Sequence, residues 1–158
     1  MSATTDVAGA APTATLRFED VAVGDTLPAL ALPLTRTLIV STAIASRDYQ
    51  DVHHDSVLAV ERGSKDIFMN ILSTNGIVGR YVTDWSGPAA VLTDVNIRLG
   101  APNYPDDTMT LTGSVTAKDE AVDAEGRGGV VVTLRGANGL GDHVTGTVRL
   151  LLPSGSAR

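Results

Sequence analysis

Apolar residues between positions 67 and 85 constrain the fold of this chain more than any other part of the sequence. They recur at helical spacing and cover more than one stripe of a helix surface: Ile67, Phe68, Ile71, Leu72, Ile77, Val78, Tyr81, Val82 and Trp85. A helix that is apolar over so much of its surface is usually buried. Gly87 and Pro88 end it, and Gly76 and Gly79 within it predict a close approach of neighbouring backbone.

The apolar pattern changes to a period of two after this helix. Four strands are predicted, at 89–99, 108–117, 129–135 and 143–152. The turns that separate them contain Pro or Gly and are typical of hairpin connections, which predicts antiparallel neighbours. One long buried helix followed by long strands therefore predicts an α+β fold, in which an antiparallel sheet wraps around a central helix.

Shorter elements precede the central helix. The β-branched run at 37–40 predicts an extended segment, which leads into a short helix over 41–45. Asp55 or Ser56 can cap another helix over 57–62. The segment between these two helices is predicted to be a loop.

Length and composition limit the classes of protein that are possible. The 158 residues suit one domain, expected over 16–153, between a disordered tail at 1–15 and a short tail at 154–158. A net charge of −6 without a basic cluster argues against nucleic-acid binding, and the absence of cysteine excludes disulfides and thiolate catalysis. No stretch predicts a signal peptide or a membrane helix, so we expect a cytoplasmic protein.

The loop contains the residues with the clearest chemical potential. Asp48 and His53 lie five positions apart, in a chain that has three histidines, and could form an acid/base pair. Taken singly, Asp48 could cap a helix or pair with an arginine, and His53 could be structural. Adjacent His53 and His54 point to opposite sides of an extended segment, so we expect no metal site. Asp55 is expected to cap a helix, and His143 to lie on a strand distant from the loop.

These residues resemble those of the MaoC-like hot-dog family of (R)-specific enoyl-CoA hydratases. The family pattern has a His five residues after an Asp, followed by Asp, Ala and Gly, and Asp48, His53, Asp55, Ala59 and Gly63 keep that spacing. A second family feature, an Arg that ends one strand before a Pro and a turn, is echoed over 98–108. The resemblance covers most of the chain and implies a hot-dog fold.

A closer resemblance is to the small subunit of the heteromeric enoyl-CoA hydratase of actinobacterial steroid side-chain degradation. Four segments carry it: 47–55, 63–68, 80–85 and 141–145. The chain departs from the wider family at Gln50 and Asp51, where Asn-Pro is usual, and at Asn70, where many members carry a Gly. These departures affect the expected acyl group more than the expected hydration chemistry.

The resemblance implies addition of water to an α,β-unsaturated acyl-CoA, with acyl-CoA as substrate and no cofactor. His53 is expected to accept a proton from the water that Asp48 orients, and the proton is then delivered to the same face. Backbone N–H groups at the start of the central helix, at Met69 and Asn70, are expected to stabilise the enolate oxygen. Arg98 could contact the phosphates of coenzyme A or brace the end of a strand.

A lone hot-dog domain leaves a sheet edge uncovered, so a partner is expected. The resemblance implies a second, larger MaoC-like subunit without the acid/base pair, a steroid 17(20)-enoyl-CoA as substrate, and a downstream aldolase- or thiolase-like protein. A homodimer that hydrates smaller enoyl-CoAs remains an alternative. So does a non-catalytic subunit that binds an acyl thioester or scaffolds its partner. A hot-dog thioesterase is disfavoured, because the acid of the central helix, Asp84, lies at its far end.

Overall fold

The computed structural model describes residues 14–119 and 123–155. Most of the predicted N-terminal tail, and residues 156–158 of the C-terminal one, lie outside the described residues. Three α-helices and five strands occur in the described part: β1 (Thr26–Leu34), α1 (Arg36–Ala45), α2 (Ser56–Glu61), α3 (Ile71–Ser86), β2 (Val91–Leu99), β3 (Asp107–Asp119), β4 (Arg127–Asn138) and β5 (Gly141–Pro153). Short 3₁₀ turns occupy Phe18–Asp20 and Asp51–His53.

The five strands form one antiparallel sheet in the order β1-β3-β4-β5-β2. Helix α3 contacts β5 and both edge strands, β1 and β2. Because a flat sheet of five strands could not reach one helix from both edges, the sheet must curve around α3. The predicted arrangement of an antiparallel sheet around a central helix is therefore confirmed.

The core lies between α3 and the inner face of the sheet. Val78 and Val82 of α3 are completely buried, and so are Leu111, Val132 and Leu150 on β3, β4 and β5. Burial of aliphatic side chains such as these stabilises the fold by about 25 cal/mol per Å² of apolar surface. None of the helices in the described ranges has the length and hydropathy needed to cross a membrane.

Two predictions about segments that are helical in the structure need correction. Residues 37–40 are helical rather than extended, because Thr35 caps α1 through the Leu38 N–H at 3.0 Å and Ile39 and Ala43 bury one face of the helix. Tertiary packing here overrides the β preference of branched residues. Gly76 is exposed, with no atom within 4 Å of the position of an added Cβ, so it does not mark a close backbone approach.

Candidate active site

One cavity brings together residues that lie far apart in the sequence. Its volume is about 410 Å³, and it is lined by the loop after α1, the segment entering α3, the end of β2 and the start of β5. Asp48 and His53 come from the loop, and His143 comes from β5. A larger depression of about 600 Å³ lies on the sheet, but Arg135 is the one titratable residue that lines it. Of these two cavities, only the smaller one is lined by a carboxylate and imidazoles.

The end of α1 fixes the position of Asp48. Its N–H donates to the carbonyl oxygen of Ala43 at 2.9 Å, and Arg47 before it has a φ of 58°. A residue other than glycine in this left-handed region is uncommon and costs conformational energy. The turn at Arg47 directs the Asp48 side chain, which is 19% exposed, into the cavity.

His53 is held in one ring orientation by the segment that enters α3. Its Nδ1 lies 2.7 Å from the carbonyl oxygen of Phe68, and the imidazole and Phe68 rings pack in a T-shaped arrangement with 4.9 Å between their centroids. A carbonyl oxygen only accepts hydrogen bonds, so Nδ1 carries the proton. In the neutral ring, Nε2 then has a free lone pair directed toward Asp48.

The His53 Nε2 atom and the Asp48 Oδ2 atom are 3.4 Å apart. This exceeds the 2.7–3.2 Å of an ordinary N–H···O hydrogen bond. Both residues line the cavity, so a single water beside the two atoms can contact both of them. The structure thus brings together the two residues that the sequence singled out as an acid/base pair.

The other polar residues of the loop have structural partners. Asp51 accepts a hydrogen bond from Arg62 at 2.7 Å, which holds the pKa of Asp51 below its usual value. Asp55 caps α2, as expected, because its Oδ1 accepts from the N–H groups of Val57 and Leu58 at 3.0 and 3.1 Å. His54 is exposed, and its Nε2 lies 3.1 Å from the carbonyl oxygen of Tyr49. Within residues 14–119 and 123–155, no group of three His, Cys, Asp or Glu could hold a metal ion.

The start of the central helix differs from the expectation at Met69. Helix α3 begins at Ile71, and the Met69 N–H donates to the carbonyl oxygen of Asn103 at 3.0 Å. Because the Met69 N–H is already hydrogen-bonded to a backbone carbonyl, it is not available to donate to the enolate oxygen. Asn70 is the N-cap of α3, because its Oδ1 accepts from the Ser73 N–H at 2.8 Å.

His143 lies closer to the loop than expected, because it lines the same cavity as Asp48 and His53. It is 2% exposed, its Nδ1 donates to the carbonyl oxygen of Ala101 at 2.7 Å, and its Nε2 accepts from the Thr74 hydroxyl at 2.8 Å. Burial lowers the pKa of His143, although the hydrogen bond to Ala101 opposes this change. Both ring nitrogens of His143 are thus hydrogen-bonded within the protein.

Two further candidates lie outside the cavity. Arg98 is exposed on β2, whereas its neighbours Ile97 and Leu99 pack against the core, so its side chain projects from the opposite face of the strand. It is not among the residues that line the cavity. Asp84 pairs with Arg80 at 3.1 Å near the C-terminal end of α3. This position does not support a thioesterase acid on the central helix.

Two groups at the site escaped the sequence analysis. The Phe68 carbonyl sets the tautomer of His53, and the Asn70 side chain donates to Asp48 Oδ2 at 3.0 Å. A backbone carbonyl gives no sequence signal. Asn70 does give a sequence signal, because Asn is a preferred residue at a helix N-cap. This signal would have placed the start of the central helix correctly.

Comparisons with known proteins identify the group to which the chain belongs. The beta subunit of 3-oxo-4,17-pregnadiene-20-carboxyl-CoA hydratase from Mycobacterium tuberculosis is 53% identical over 128 residues, which cover 81% of this chain and 94% of the relative. The chain belongs to the family of this hydratase beta subunit. No protein-family model matches it.

Solved structures share the fold of this chain. A chain of the ChsH1–ChsH2 complex from Mycobacterium tuberculosis is 52% identical to this one and superposes with a TM-score of 0.74. The match covers 83% of this chain and 98% of that chain. The MaoC-like dehydratase from Rhodospirillum rubrum has a TM-score of 0.74 at 21% identity, over 90% of this chain and 99% of its own, and shows the fold alone. The expected MaoC-like hot-dog fold and hydratase class are confirmed.

Proposed function

We propose that this chain is the catalytic small subunit of a heteromeric enoyl-CoA hydratase that acts on a steroid 17(20)-enoyl-CoA. The observation that carries the proposal is the 3.4 Å approach of His53 Nε2 to Asp48 Oδ2 inside the cavity. The substrate class comes from the Mycobacterium tuberculosis relative, which is named for 3-oxo-4,17-pregnadiene-20-carboxyl-CoA. The product would be a 17-hydroxy acyl-CoA, suited to retro-aldol cleavage by an aldolase- or thiolase-like protein.

The geometry supports a division of labour between the two residues. His53, whose Nδ1–H is held by the Phe68 carbonyl, accepts a proton from the bound water at Nε2. The Asp48 carboxylate accepts a hydrogen bond from the other hydrogen, which stays on the water oxygen, and so orients that oxygen. The oxygen attacks the β-carbon of the enoyl thioester, and His53 returns the proton to the α-carbon from the same face. Positioned acid/base groups of this kind contribute about 10²–10⁴ in rate.

The developing enolate oxygen needs hydrogen-bond donors. The first N–H groups of a helix lack intrahelical acceptors and lie at the positive end of its dipole. With Met69 engaged elsewhere, the proposed donors are the N–H groups of Asn70 and Ile71, which line the cavity at the start of α3. Conjugation with the thioester carbonyl activates the double bond, so the proposed reaction needs no cofactor. A cytoplasmic location remains part of the proposal.

A second subunit fits the exposed surfaces of this one. The edge strand β1 contains Pro28 and Pro33, which lack an N–H, whereas the other edge strand, β2, has no proline. Strand β2 is therefore the better edge for continuing the sheet. Ile71 lines the cavity and is 51% exposed, and Tyr49, next to the lining residue Asp48, is 67% exposed. Large exposed side chains at this position favour a subunit that covers the cavity. The solved complex of a similar chain with a second protein supports a heteromer over a homodimer.

The test is a hydration assay on the full-length chain, expressed with and without a candidate MaoC-like partner. Loss of enoyl-CoA absorbance is followed for wild type, Asp48→Asn and His53→Ala. Both variants are expected to lose at least about 100-fold in kcat. Full activity in both would show that the site assignment is wrong, and release of free CoA would favour a thioesterase.

Two matched controls lie in the same loop. His54→Ala removes the adjacent imidazole, which is exposed, and Asp51→Asn removes a carboxylate that pairs with Arg62. His54→Ala is expected to keep kcat within about threefold of wild type, because this side chain contributes no polar atom to the Asp48–His53 pair. Asp51→Asn weakens the bond that secures the turn without removing the base, and is expected to lose much less kcat than His53→Ala. Equal losses in His53→Ala and His54→Ala would indicate disruption of the loop rather than loss of a base.

A further inference from the structure

Asn70 has more hydrogen bonds than a helix cap requires. It is 1% exposed, and its Oδ1 accepts from both the N–H and the hydroxyl of Ser73. Its Nδ2 donates to the Ser46 hydroxyl at 2.9 Å and to Asp48 Oδ2 at 3.0 Å. The partners fix the orientation of the amide, because a flipped side chain would place its oxygen against the Asp48 carboxylate and its NH₂ group against the Ser73 N–H.

The two Nδ2 bonds connect the central helix with the loop that carries the acid. Ser46 Oγ lies 2.8 Å from the Thr42 carbonyl and donates its own hydrogen back to α1, so it accepts from Asn70. The same amide therefore holds the C-terminal end of α1 and the Asp48 carboxylate. A cap would need only Oδ1, so the Nδ2 contacts have a different role.

The geometry points to Asn70 as a positioning residue for the hydration reaction, one that holds the Asp48 carboxylate away from direct contact with His53. This inference rests on the proposed hydratase function. Asp48 Oδ2 is the atom that Asn70 binds and also the atom that lies 3.4 Å from His53 Nε2. Without the amide, the carboxylate is free to close onto an imidazolium and take the place of the reacting water. With the amide in place, the gap between the pair is kept at a width that one water can bridge.

Two variants separate positioning from capping. Asn, Asp and Ser are similarly effective N-caps, so Asn70→Ser and Asn70→Asp both keep an acceptor for the Ser73 N–H. Asn70→Ser is too short to reach Asp48 and is expected to lower kcat about 10- to 100-fold with little change in KM. Asn70→Asp places a second carboxylate beside Asp48 and is expected to move the acid limb of the pH–kcat profile to higher pH. Thr35→Ala, which removes the cap of α1, is the control for loss of a helix cap.

The measurements use the full-length chain with its second subunit, and Asp48→Asn as the inactive reference. If wild type hydrates and Asp48→Asn does not, while Asn70→Ser and Asn70→Asp keep the wild-type kcat and pH profile, the positioning role is wrong and the proposed function stands.

If wild type does not hydrate, the proposed function fails, and NMR of the Asn70 side-chain amide still tests the contact. A side-chain amide proton of Asn70 should shift as Asp48 titrates, and this shift should vanish in Asp48→Asn. An Asn70 amide signal with the same pH dependence in both proteins would overturn the inference.

Discussion

Burial of His143 should make the stability of this protein depend on pH. The imidazole is 2% exposed, with Nδ1–H donated to Ala101 and Nε2 accepting from Thr74. Burial lowers its pKa below the ordinary value of 6.5, partly opposed by the Ala101 hydrogen bond. The folded state therefore disfavours the protonated ring, which would also turn Nε2 into a donor facing the Thr74 hydroxyl.

The sign of the effect follows from where the proton binds. As the pH falls through about 6.5, the unfolded chain takes up a proton at His143 that the folded chain does not. Unfolding is then favoured at lower pH, so this histidine reduces stability progressively below that value. If the folded state stays neutral throughout, the free energy of unfolding falls by roughly 1.4 kcal/mol between pH 7.5 and pH 5.5 because of this residue alone.

Urea unfolding at the two pH values measures the effect, with Trp85, the single tryptophan, as the fluorescent probe. His143→Gln removes the titrating group and should reduce the loss of stability at pH 5.5 by about 1 kcal/mol or slightly more relative to wild type. His54→Gln is the control for removing a histidine from an exposed position. Equal pH dependence in wild type and His143→Gln would refute the argument from burial.

Three further predictions concern stability, each measured by thermal unfolding. Gly146→Ala should destabilise by about 1–3 kcal/mol, because the new methyl would lie 2.2 Å from the Asn96 carbonyl oxygen on β2; a wild-type melting temperature would contradict the register of β2 and β5. Gly76→Ala should stabilise by up to about 1 kcal/mol, since the site is helical and open; a lower melting temperature would mean that the space is occupied. Asp55→Ala should cost about 1 kcal/mol through loss of the α2 cap, and no change would show that the cap is dispensable.

The central helix and the strands could be predicted from the sequence because their burial leaves a strong periodic signal. Strand β2 is predicted over 89–99 and observed over Val91–Leu99, and strand β5 is predicted over 143–152 and observed over Gly141–Pro153. Strand β1 is not among the four strands predicted above. Its two prolines are tolerated only because the strand lies at the edge of the sheet, where a missing N–H leaves no neighbour unsatisfied.

The entry to α3 shows why part of the site could not be predicted. Apolar spacing extends the helix back to Ile67, but Asn70 caps it and the segment before it is held by bonds to other parts of the chain, such as that from Met69 to Asn103. Those contacts depend on where the 100–106 loop folds, which the local pattern does not contain. The position of a backbone donor is therefore harder to predict than the identity of an acid or a base.

The two adjacent histidines show how the fold assigns different roles to identical side chains. His53 is buried against Phe68, and His54 is exposed, because the 3₁₀ turn Asp51–His53 directs one ring inward. Two carboxylates secure that turn: Asp51 pairs with Arg62 of the α2 end, and Asp55 caps the start of α2. Since the α2 helix is thereby bonded to the loop at both of its ends, the inward ring has little freedom to rotate away. The abundance of acids around the proposed base thus reflects the need to hold one imidazole in place, with a single carboxylate, Asp48, left to act on the water.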